Sequence, residues 1–236
     1  MRVWDLPLRI FHWALVIAVI GAVGSAKADV MWLHERFGLT VMGLVAFRIL
    51  WGFLGGYYAR FSQFLTPPRV AFAGILDLLK PQNQPSVGHS AAAGYAVVGL
   101  LGVAAYQALT GSVSNDDVLF DGPLAHLVPG WSNIASDLHD IGEPLLFFMV
   151  ALHIGAILIY KFVKKRNLTM TMFHGQALHG QALHGGALFG PAPHDLAAAS
   201  IKDGGISAMR TVFGVVLLAG CVLAANALTL LRPALY

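Results

Sequence analysis

The sequence predicts an all-α integral membrane protein, a four-helix bundle followed by a fifth C-terminal transmembrane helix. Two observations carry the prediction. Only 11% of the 236 residues are charged and 57% are hydrophobic, whereas a soluble domain carries about 25% charge, so too little polar surface exists to face water. The chain also contains five apolar runs, each long enough to cross a hydrocarbon core, which takes about 20 residues.

In chain order, the first run extends from about Ile10 to Ala26 and the second from His34 to Gly56. The third extends from Ala91 to Val113, the fourth from about His139 to Val163, and the fifth from about Ile206 to Leu231. The first run shares features with a secretory leader, since Arg2 and Arg9 precede it and Ala26-Lys27-Ala28 follows it. His12 within the run points instead to a retained functional span. Between the second and third runs, Arg69 to Lys80 reads as a short amphipathic helix lying on the headgroup layer, with Pro81 to Pro85 leading onward.

Basic residues set the direction. With the N-terminus inside, Arg2, Arg9, Arg60, Arg69, Lys80, Lys161, Lys164, Lys165, Arg166, Lys202 and Arg210 fall on the cytoplasmic side. Only Lys27, Arg36 and Arg232 fall outside, and the outer loop between runs three and four holds Asp116, Asp117, Asp121 and Asp137 without Lys or Arg. The net charge of +3 therefore reflects membrane orientation and not nucleic-acid binding. A single cysteine, Cys221, excludes an internal disulfide and any multi-cysteine metal site.

Four of the ten histidines lie in or at the ends of the apolar runs: His12, His34, His139 and His153. Ionisable side chains at membrane depth are costly and mark functional sites. His139 and His153 are fourteen residues apart, which is roughly 21 Å along a helix with the two side chains about 40° apart on one face. Depth pairs His12 with His153 near the inner leaflet, and His34 with His139 near the outer one. One antiparallel bundle brings both pairs together. Two axial imidazoles fill both faces of an iron porphyrin, so each pair suits a haem used for electron transfer. The chain lacks Cys-x-x-Cys-His, so attachment is not of the covalent c type. Zinc or copper would gather three or four ligands into one sphere. For any one histidine alone, a packed ring bonded to a backbone carbonyl is an equal reading.

Arg48 stands fourteen residues after His34, on the same helix face and at the depth of the inner pair. A guanidinium there needs an anion, and a haem propionate or a bound quinone supplies one; snorkelling to the inner surface is the alternative. Arg9, one turn before His12, suits the same task or that of a surface anchor. Gly38, Gly142, Gly94 and Gly99 permit close backbone approach, to a haem face or to another helix.

The segment Val3-Trp4-Asp5-Leu6-Pro7-Leu8-Arg9-Ile10-Phe11-His12-Trp13 resembles the first-helix signature of prokaryotic cytochrome b561-type proteins, a group that includes the b-type cytochrome subunits of nickel–iron hydrogenases. His34, Gly38, Arg48, Trp51 and Gly52 resemble its second helix. Gly88-His89 with Gln107, Thr110 and Gly111 is similar to its third, and His139 with His153 to its fourth. The resemblance covers about residues 3 to 170. It implies two b-type haems in a four-helix bundle, exchanging electrons between membrane quinone and a redox partner. The domain plan that follows is a dihaem bundle over 1–170, a His/Gly-rich cytoplasmic linker over 171–205, and an additional transmembrane helix over 206–236. The linker contains a direct repeat from His174 to Leu188 that no helix face collects.

The expected function is electron transfer across a bacterial inner membrane, between the quinone pool and a periplasmic c-type cytochrome or hydrogenase subunit, with the acidic outer loop steering a basic partner. Two other classes stand beside it. One is a membrane oxidoreductase acting directly on quinol or superoxide, which turnover by the purified chain favours. The other is a non-redox membrane protein whose histidines carry protons or metal, which a colourless preparation favours.

Overall fold

A computed structural model describes residues 3–72, 91–115, 121–176 and 205–232. Those residues are mostly helical, joined by turns and irregular segments, with an isolated antiparallel bridge between Asn115 and Asp121. We label the helices α1 (Leu6–Lys27), α2 (Met31–Leu54), α3 (Ala91–Val113), α4 (Ser132–Phe162), α5 (Leu168–His174) and α6 (Ala208–Ala227), the last continuing as a 3-10 turn over Leu228–Leu231. By length and composition, five helices are apolar enough to cross a membrane: α1, α2, α3, α4 and α6. Of the anticipated surface helix over Arg69–Lys80, residues 69–72 are helical, and the rest lies outside the described residues, as do His89 and most of the His-Gly repeat.

Boundaries differ from the apolar runs where polar residues occur inside a helix. α4 starts at Ser132, two turns before His139. Ser132, Asn133, Ser136 and Asp137 interrupt the apolar pattern but do not break a helix, which is a property of the backbone. His139 therefore sits within the helix and does not open it. α1 starts at Leu6 because Asp5 caps it, its Oδ1 accepting from the Leu8 backbone N–H at 2.9 Å.

The chain forms two compact units. The first comprises Met1–Arg9, Leu50–Val98 and Ala151–Gly214. Its centre is Asp5, 6% exposed, which also accepts from Trp51 Nε1 at 3.2 Å and from the Gly56 N–H at 3.3 Å. A buried carboxylate is tolerable only with such donors. Gly214 of α6 abuts Pro7 and the Trp51 ring so closely that a Cβ would stand 2.6 Å from each. Gly175, at φ +74°, ends α5 in the left-handed conformation. Its carbonyl accepts from the Val3 and Trp4 backbone N–H groups.

The second unit comprises Ile10–Ile49, Gly99–Val150 and Val215–Tyr236. Here α1 meets α2 where the Phe37 ring lies against Gly21. The Tyr106 hydroxyl of α3 donates to the Leu138 carbonyl of α4 at 2.6 Å. Lys27 and Glu143 pair across α1 and α4 at 2.7 Å, an exposed contact that contributes little. α6 approaches α2 closely at Gly43, where a Cβ would stand 2.6 Å from the Cys221 carbonyl oxygen.

Candidate cofactor site

His34 lies in the first turn of α2, its backbone N–H bonded to the Val30 carbonyl. Its Nδ1–H donates to the Ala22 carbonyl of α1 at 2.8 Å. His139 of α4 makes the equivalent bond, its Nδ1–H donating to the Gln107 carbonyl of α3 at 3.0 Å, with Thr110 Oγ1 3.3 Å away. The Thr110 hydroxyl is held in turn by the Tyr106 carbonyl at 2.8 Å. The two rings stand 5.9 Å apart between centres with their planes at 80°. All of these residues belong to the second unit.

This arrangement fits a metal held between two imidazoles. A backbone carbonyl on Nδ1–H fixes the tautomer and leaves the Nε2 lone pair free to ligate. Two metal–imidazole bonds of about 2 Å, extended to the ring centres, set such rings roughly 6 Å apart. The surroundings also leave room. Gly38, one turn after His34, is half-buried, and a Cβ there would meet nothing within 4 Å. At Gly111 a Cβ would stand 2.8 Å from His139 Cε1, so glycine gives that ring its place. At Gly142 a Cβ would stand 2.0 Å from Gln107 Oε1, which is buried and without a hydrogen-bond partner. Among the described residues no three His, Cys, Asp or Glu side chains converge as a metal cluster. The donor set, the ring spacing and the open space beside Gly38 suit a bis-imidazole haem.

The other predicted residues are placed as follows. His12 belongs to the second unit and is half-buried, its ring edge-on to Trp13 at 5.0 Å. Arg48, also in the second unit, is 2% exposed and ranks with Phe47 and Leu44 among the largest fully buried side chains. His153 is half-buried on α4 within the first unit. Arg9, in the first unit, donates from its guanidinium to the Phe173 carbonyl at the C-terminal end of α5, a favoured place for a cation.

Sequence reasoning missed the two carbonyls that orient the His34 and His139 rings, because a backbone acceptor on another helix has no residue-type signature. It also missed Asp5 as a hub. Asp three residues before Leu8 is a readable cap signal, but the Trp51 and Gly56 donors come from about fifty residues away.

The family model for prokaryotic cytochrome b561 matches residues 3–175. The chain belongs to the prokaryotic cytochrome b561 family. No curated protein and no solved structure matches it. The family binds b-type haem and carries electrons across membranes, as helical bundles. Membership and the five apolar helices make this chain a multi-pass membrane protein that works in lipid with redox partners.

Proposed function

We propose that the chain is a dihaem relay, passing electrons between the membrane quinone pool and a periplasmic redox partner such as a c-type cytochrome or hydrogenase subunit. The observation that carries the reading is the His34–His139 pair, two rings 5.9 Å apart whose Nδ1–H groups are already committed to backbone carbonyls. Haem b, when bound, would supply a one-electron iron couple. His34 and His139 would hold it at one site. His12 and His153 are the ligands at the second, on the spacing of fourteen residues along α4.

The chain's own groups do the rest. The Ala22 and Gln107 carbonyls hold each ligand ring at one tautomer, so no proton has to leave when iron binds. Gly111 admits the His139 ring, and Gly38 keeps the α2 backbone low beside the site. Arg48 brings a buried positive charge to the half of the bundle that holds His12, where it offsets propionate charge and favours the reduced state. The uneven distribution of Lys and Arg supports an N-terminus in the cytoplasm. In this scheme residues 1–170 are the dihaem bundle, 171–205 a linker and 206–236 an added transmembrane helix.

The test is ligand deletion with haem counted per chain. His34→Ala or His139→Ala should each remove one of two haems, and His153→Ala should remove the other. An unchanged haem content in any of these variants overturns that residue's assignment.

A further inference from the structure

Glu35 directly follows the ligand His34, and its side chain is only 7% exposed. A carboxylate taken out of water beside an electron-transfer site is costly without a cation. The cation present is Arg232, whose Nη2 lies 2.9 Å from Glu35 Oε1. The contact is an ion pair without hydrogen-bond alignment, so its content is charge. The same guanidinium also donates to the Asp121 backbone carbonyl, which ties three segments of the second unit together.

Arg232 comes from beyond the family-matched residues 3–175. The helix before it is docked on the face of α2 that leads to Glu35. Asn226 Nδ2 donates to Thr40 Oγ1 at 3.2 Å, Arg36 reaches the Asn226 carbonyl at 3.5 Å, and Gly43 lies against the backbone at Cys221. Positions 36, 40 and 43 follow the helical repeat of one stripe. His34 itself points elsewhere, to Ala22 and His139. One side of α2 thus carries the ligand, and a neighbouring side carries the added helix that delivers the counter-charge.

We propose that Arg232 is a positioning residue for the His34–His139 site: by neutralising Glu35 it raises the reduction potential of the haem held there. This rests on the reading that His34 and His139 ligate a haem. An uncompensated carboxylate one residue from the ligand would stabilise ferric over ferrous iron, since the ferric state carries the extra positive charge. The C-terminal helix is therefore part of the redox centre's electrostatics as well as a packing element.

The experiment is a potentiometric titration of the purified full-length chain, followed by visible absorbance, with haem counted per chain. Arg232→Gln should lower the midpoint of the haem at His34–His139, Glu35→Gln should raise it, and the double variant should return close to the native value. Arg232→Lys, which keeps the charge, should stay near the native value. The other haem should not move in any variant. Native midpoints in all four variants with haem retained would overturn the proposal while leaving the ligand assignment standing. Loss of haem in Arg232→Gln together with an unmoved Glu35→Gln would reduce Arg232 to a structural strap and equally overturn it. Retention of every haem in His34→Ala would instead overturn the ligand reading beneath it.

Discussion

Gly111→Ala separates packing at the cofactor site from the general stability of α3. A Cβ at this position would stand 2.8 Å from His139 Cε1 and 3.1 Å from its Nδ1. Carbon atoms rest near 3.5–4.0 Å apart, so the imidazole must retreat by roughly 0.7 Å or more. The ring is already anchored to the Gln107 carbonyl at 3.0 Å, so the retreat stretches that bond and changes the imidazole's 5.9 Å spacing from the His34 ring. A ligand bond of about 2 Å does not tolerate such a shift. Helix propensity acts in the opposite direction, since alanine is favoured over glycine in a helix interior by about 1 kcal/mol. The variant should therefore fold at least as well as the native chain yet lose the haem at His34–His139. Gly220→Ala is the control, because a Cβ there meets nothing within 4 Å. The assay is haem per chain by visible absorbance alongside thermal unfolding. A native haem content and spectrum in Gly111→Ala would mean that the His139 ring does not need the space that glycine leaves.

Other perturbations follow from the same structure. Asp5→Ala removes the α1 cap and the carboxylate that accepts from the Trp51 indole N–H and the Gly56 N–H, and it should cost about 1–3 kcal/mol, read as a lowered thermal midpoint in detergent. Arg48→Leu should lower the midpoint potential of the haem proposed at His12, because a buried cation favouring the reduced state is lost; an unmoved titration curve would separate Arg48 from that cofactor. The Tyr58 phenol is raised above its ordinary value, first by burial and then by Tyr57. Its folded-state value exceeds the unfolded one, so its stabilisation is complete below about pH 10 and is lost as pH rises through the raised value. Its hydroxyl is buried without a hydrogen-bond partner, so Tyr58→Phe should leave neutral-pH stability unchanged or improved and should lessen the alkaline loss. A steeper alkaline decline in Tyr58→Phe would contradict this.

The helices were largely legible because lipid demands long apolar runs, and α3 begins and ends where its run does. α4 was legible only from His139 onward, since Ser132 to Leu138 is helical without being apolar. The closeness of His34 and His139 was also legible. Both are costly at membrane depth, and counting residues from each helix end put them at one level. Their orientation was not, because it depends on carbonyls of Ala22 and Gln107 whose side chains say nothing of it. Arg9 illustrates a real ambiguity in sequence: a cation one turn before a ligand suits a propionate, yet its guanidinium bonds the end of α5 at Phe173. Glu35 and Arg232 are nearly two hundred residues apart, and no local pattern announces a pairing over that distance.

If four imidazoles hold two b-type haems in this chain, a reduced-minus-oxidised visible spectrum of the purified native protein shows b-type bands, and haem quantified per polypeptide comes to two. A colourless protein, or a single haem per chain that survives His34→Ala, would mean that the imidazoles do not hold two haems.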